Sequence, residues 1–192
     1  MRLTGLLFVL GLLATPGFAH QPVLAPQGAS SAEVPVEVTE PEVSKAFFGA
    51  LTGAPAWYRI DSDTPFRFYA GITVPRIEGC PLRTRFSLDL LDVDRNVLSS
   101  ANGETFLWWP WYERFGKKWY WIGPEMGKDF KSTRDLPAGT YFVRVSSQGN
   151  QGRYVLAIGD EESFPVDAII RTLIILPGIN RDFWDNVSCD EN

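Results

Sequence analysis

The chain has a single histidine, His20, among its 192 residues, and that scarcity removes most nucleophilic catalysis at once. Serine and cysteine nucleophiles are activated by an imidazole that a third group orients. Here the only imidazole lies near a terminus, in a stretch dominated by proline, alanine, serine and glutamate. Cysteine is nearly as scarce: Cys80 and Cys189 are the only two, and without histidines beside them they make no zinc site. Positive charge is not in excess. Lysines and arginines number 18 against 23 aspartates and glutamates, a formal net charge of −5, so nucleic acid is not an expected partner. No glycine-rich phosphate cradle occurs, and no apolar run reaches the roughly 20 residues that cross a bilayer as a helix. What remains is a chain of one-domain length, 45% hydrophobic, with enough apolar material to bury a core.

The first residues read as an address. Arg2 precedes an apolar run over 6–13 (LLFVLGLL), Pro16 breaks it, and Gly17-Phe18-Ala19 is a small-x-small site. That order predicts a secretory signal peptide over 1–19 and a secreted or periplasmic protein of the cell envelope. In an oxidising compartment Cys80 and Cys189 are the only candidates for each other, and a bond between them closes a loop of about 110 residues. Two free thiols are the alternative. His20 becomes the new first residue, expected to be solvated; a copper-chelating histidine brace takes a second histidine, which the chain lacks.

Residues 20–40 read as a flexible lead-in, with an edge strand over 34–38. Pro41 opens a short helical pattern over EVSKAFFGAL, with Gly53 just past its end. From Trp57 onward the hydrophobic period is two. Phe66, Phe68, Ala70, Ile72 and Val74 alternate with other residues, as do Phe86, Leu88 and Leu90, then Tyr141, Val143 and Val145, then Tyr154, Leu156 and Ile158. Each series predicts a half-buried strand. Polar turns rich in Asp, Asn, Gly and Pro separate them. The expected fold is all-β, a jelly roll or β-sandwich over 41–162, with one short helix before it and one after. The second helix runs from 165 or 166 to about 176, capped by Ser163 and ended by Pro177-Gly178. Ala168, Ile169, Ile170, Leu173, Ile174, Ile175 and Leu176 leave it almost no polar face. It either tucks under the sandwich or makes peripheral contact with a partner or membrane surface through 165–177.

The last two strands carry a family resemblance. Leu136-Pro137-Ala138-Gly139-Thr140-Tyr141-Phe142-Val143-Arg144-Val145, followed by Gly152-Arg153-Tyr154-Val155-Leu156-Ala157-Ile158, resembles the end of bacterial pre-peptidase C-terminal modules. Phe86-Ser87-Leu88-Asp89-Leu90-Leu91-Asp92 is similar to that family's earlier strand, which ends in an acidic turn. The likeness covers roughly 57–159. It implies a secreted β-sandwich accessory module of the kind that accompanies exported enzymes, although no catalytic domain is expected within these residues and an aromatic insertion occupies 104–125.

That insertion is the main candidate site. Five of the seven tryptophans fall between 108 and 121. Trp108, Trp109, Trp111, Tyr112, Trp119 and Trp121 form a ligand platform if their flat, partly polar faces are exposed. They form a satellite core if they close one end of the sandwich. Trp108 and Trp109 are adjacent, so a strand carries them on opposite sides. A second candidate is the acidic turn of Asp89, Asp92 and Asp94 with Asn96, which holds oxygens for calcium or serves the turn alone. Otherwise no cofactor is expected. Glu104, Glu113 and Glu125 are the carboxylates a glycosidase reading uses. The residues favour a non-catalytic accessory module whose Trp-rich loop meets a saccharide or an envelope protein. The alternatives are a structural envelope protein docked through its apolar C-terminal helix and a carboxylate-dependent glycoside hydrolase.

Overall fold

The computed structural model describes residues 20–26, 30–114, 116–126 and 134–189. The signal peptide expected over 1–19 lies outside these residues, as does Phe115 of the aromatic segment. The strands, in chain order, are β1 (Gln21–Leu24), β2 (Val36–Val38), β3 (Lys45–Thr52), β4 (Ala56–Ser62), β5 (Phe66–Phe68), β6 (Ala70–Pro75), β7 (Phe86–Leu91), β8 (Val97–Ala101), β9 (Trp109–Glu113), β10 (Lys118–Met126), β11 (Arg134–Leu136), β12 (Gly139–Ser147) and β13 (Gln151–Ile158). The helix α1 (Val166–Asn180) follows and runs into a π-helical turn over Arg181–Asp185.

Two sheets face each other. One has six strands in the order β1-β3-β13-β6-β10-β9, the other five in the order β2-β4-β12-β7-β8, and β5 pairs with β11 in a small third sheet. The alternating side chains meet between the two large sheets. Phe47, Ile72, Val74 and Leu156 from the larger sheet pack with Tyr58, Ile60, Leu88, Leu90 and Val143 from the smaller in one continuous core. The fold is the expected β-sandwich. In its middle the hydroxyls of Tyr58 and Tyr154 bond each other at 2.8 Å. Tyr58→Phe strands the Tyr154 hydroxyl without a partner and is expected to cost about 1–3 kcal/mol, whereas the double Phe variant restores an apolar pair and costs less. Urea unfolding of the three variants checks this, and a double variant less stable than either single would refute it.

The sequence misleads at three places, each for a structural reason. The stretch read as a helix after Pro41 is strand β3. Both its faces are covered: Phe47 and Leu51 enter the inter-sheet core, while Ala46 and Phe48 pack against Ile179 and Phe183 beyond the sheet. A strand buried on both sides loses the period of two that would mark it. The segment read as a flexible lead-in with an edge strand over 34–38 gives a strand to each sheet: β2, parallel to β4, is the expected edge strand, while β1, parallel to β3, lies where no strand is expected. Ala25 and Val38 of that segment are in the core.

The helix α1 starts where expected but without its expected cap. Pro165 is the N-cap, no side chain caps the helix, and the Ser163 carbonyl instead accepts the Gln21 Nε2–H at 2.6 Å. Nor do Pro177 and Gly178 end it; the chain stays helical to Asn180 and turns on through Asp185. Burial of Ile179 and Phe183 against Phe48 and Val155 outweighs the missing proline N–H. The tail is also held covalently by a disulfide between Cys80 and Cys189.

Candidate functional site

The aromatic segment is a hairpin at the edge of the larger sheet. β9 and β10 pair antiparallel, with Tyr112 opposite Trp119, Trp111 opposite Tyr120, Pro110 opposite Trp121 and Trp109 opposite Ile122. β10 pairs in turn with β6, placing Trp121 opposite Val74 and Tyr120 opposite Pro75. β9 ends the sheet. The turn between them is tightened by Glu113, whose carboxylate accepts the Gly116 N–H.

Strand alternation divides the aromatic residues between two faces. Trp121 takes the side of its neighbour Val74, which lies in the core between the sheets, and Tyr112 and Trp119 share that inner side. Trp109, Trp111 and Tyr120 take the outer side. There Trp111 lies 6.2 Å from Tyr120, and Tyr120 lies 5.2 Å from Trp184 of the π-helical turn. Burial, with the Glu113 carboxylate second, pushes the Tyr120 hydroxyl far above its ordinary range and keeps it neutral. Trp108 precedes β9 and packs against the core, with its Nε1–H donated to the Gly103 carbonyl at 2.8 Å.

The inner face forms a short aromatic ladder. The Tyr112 and Trp119 rings stand 5.2 Å apart at 53°, and 40% and 44% of these residues' surfaces are open to solvent. Arg76, just past β6, donates its backbone N–H to the Trp119 carbonyl at 2.9 Å. Its guanidinium lies 5.0 Å from the Trp119 ring and 5.3 Å from that of Trp121. Among the described residues no carboxylate lies within 4 Å of that guanidinium. The Trp121 Nε1–H is buried and finds no acceptor among the described residues. Two half-open rings and a stacked cation can pack on a sugar ring and donate hydrogen bonds to its oxygens. Arg76 had no mark in the sequence, because its place depends on the register between β6 and β10, which are separated by more than forty residues.

The acidic turn does a different job. Asp89 is bound to Arg144, with the closer contact at 2.7 Å, and accepts the Ser100 hydroxyl at 2.5 Å. Asp92 takes both the backbone N–H and the side-chain amide of Asn96 and so closes the turn. Asp94 is exposed. Among the described residues no group of three or more His, Cys, Asp or Glu is placed to hold a metal ion.

The glutamates are dispersed. Glu104 is exposed in a loop, Glu113 holds its turn, and the Tyr69 hydroxyl hydrogen-bonds to Glu125. Glu113 sits opposite Lys118, and Glu125 lies seven residues along the same strand. At the rise of a β-strand that is roughly 20 Å, whereas glycosidase carboxylates stand about 5–9.5 Å apart. His20 does meet a serine, its Nδ1 lying within hydrogen-bond reach of the Ser44 hydroxyl. Ser44 is buried at the head of β3, where no substrate can approach. No protein-family model and no curated protein matches the chain.

Proposed function

We propose that the protein is an exported, non-catalytic accessory module of the pre-peptidase C-terminal kind, and that the inner face of its β9–β10 hairpin receives a saccharide. The observation that carries this reading is the ladder of Tyr112, Trp119 and Arg76: two half-exposed rings beside a cation that pairs with no carboxylate among the described residues, on the terminal strands of a sheet. A core needs none of that exposure. The disulfide supports an oxidising compartment.

Tryptophan emission followed during titration with cell-wall and plant polysaccharides tests the proposal. One class of saccharide is expected to change the emission, and Trp119→Ala to weaken that binding about tenfold, the worth of one stacked ring, without changing the melting temperature. If no saccharide alters the signal, or if Trp119→Ala binds as wild type, the platform is not a saccharide site.

A further inference from the structure

A guanidinium stacked on aromatic rings has its flat faces covered and its N–H groups directed outward in its own plane. An anion at that edge completes it. Arg95 and Arg144 show the complete arrangement on the smaller sheet. Both lie over the indole of Trp57, Arg95 at 5.9 Å and Arg144 at 5.5 Å. Each gives its edge to a carboxylate of this chain, Arg95 to Glu33 at 3.2 Å and Arg144 to Asp89 at 3.0 and 2.7 Å. Arg76 stacks more closely, 5.0 Å from Trp119 and 5.3 Å from Trp121, yet among the described residues no carboxylate meets its edge. The chain is not short of acid, with 23 aspartates and glutamates. Those of the hairpin and its surroundings are used elsewhere. Glu113 lies on the outer side and holds the Gly116 N–H. Asp185 pairs with Lys118, opposite Glu113 on that same outer side. Arg114 and Lys117, at the hairpin turn, are exposed. The inner face therefore presents an unopposed cation in a chain of net charge −5.

Resting on the saccharide reading of this face, we propose that the edge of Arg76 receives the carboxylate of an acidic saccharide, a uronate, whose ring lies on Tyr112 and Trp119. The rings give contact area to any sugar, and the arginine selects among sugars. A hydroxyl meets the guanidinium with ordinary hydrogen bonds. A carboxylate meets it with charge-assisted bonds about twice as strong, and the planar fork fits two carboxylate oxygens at once. The side chain is already placed, by the rings on its face and by the backbone bond from Arg76 to the Trp119 carbonyl at 2.9 Å, so binding orders little that is free. The acid that Glu33 and Asp89 supply to the other two stacked arginines comes here from the ligand.

Tryptophan emission is followed while polygalacturonate, alginate and the methyl ester of each are titrated into the protein. Acid and ester share ring and linkage and differ in charge. At least one acid is expected to bind wild type about tenfold or more tighter than its ester, the worth of one charge-assisted hydrogen bond, with an advantage that shrinks as salt rises. Arg76→Gln keeps a long polar side chain without the charge and is expected to remove the difference between acid and ester while keeping the wild-type circular dichroism. The comparison on wild type stands even where that variant does not fold. Esters that bind as tightly as the acids overturn the proposal and leave the saccharide reading in place. If neither acids, esters nor neutral polysaccharides change the emission, both fall. Dextran sulfate that binds as tightly as the uronates also overturns it, since the face would then answer to charge density and not to a carboxylate.

Discussion

Reducing the bond between Cys80 and Cys189 is expected to lower the unfolding free energy by about 5 kcal/mol. The two cysteines are 109 residues apart in sequence, so the bond removes the closure entropy of a very long loop from the unfolded chain. On the chain-entropy model a loop of that size is worth about 4.7 kcal/mol. Native domains of this kind are stable by about 5–15 kcal/mol in total, so the loss is a third of the stability or all of it. The consequence is local as well as global. Cys189 follows the π-helical turn that sets Trp184 against Tyr120, and Cys80 lies in the loop that leaves Arg76. Urea unfolding of the oxidised protein, the reduced protein and the Cys80→Ser/Cys189→Ser variant measures the effect. Midpoints that coincide would mean that the packing of Ile179 and Phe183 alone holds the tail and that the unfolded chain gains nothing from release.

The legible parts of the molecule are those whose burial is one-sided. Strands β7 and β12 lie in or near the stretches of alternation because mainly one face of each residue series meets the core. Cys80 and Cys189 had no other partners to choose from. The illegible parts depend on contacts far away in sequence. β3 hid because α1, more than a hundred residues later, covers its second face. β1 is short and pairs in parallel with a strand beyond it, a contact with no local signature, whereas the edge strand β2 falls within the stretch 34–38 that reads as one. Pro177 would end an isolated helix, and it is the buried Ile179 and Phe183 that carry the chain past it. In the aromatic segment the sequence marks the concentration of rings but not their division. The adjacency of Trp108 and Trp109 requires only that they part. Which of them faces the core follows from where β9 begins and how it pairs.

That division makes Trp108 and Trp119 opposite in kind, and truncating each separates structure from binding. Trp108→Ala is expected to cost about 3–5 kcal/mol, the usual penalty for deleting a large aromatic from a core, and Trp119→Ala no more than about 0.5 kcal/mol, as at an exposed position. Trp108 packs on the sandwich core, meets Phe106 edge-on at 6.2 Å and gives its indole N–H to Gly103. Gly103 is itself fixed, buried and donating its own N–H to Ser87 at 3.0 Å. On its other side the indole rests on Gly123 of β10 so closely that an added Cβ would stand 2.2 Å from the ring. Gly123→Ala therefore drives the indole from its seat and is expected to destabilise by about 1–3 kcal/mol. The two substitutions address one contact and do not add. Once Trp108 is alanine, the methyl group at position 123 enters vacated space, so the double variant is expected to be no less stable than Trp108→Ala alone. Denaturant midpoints for the four proteins close this cycle. Additive losses would show that Trp108 and Gly123 act separately, and a large loss from Trp119→Ala would return that ring to the core and remove it from the binding face.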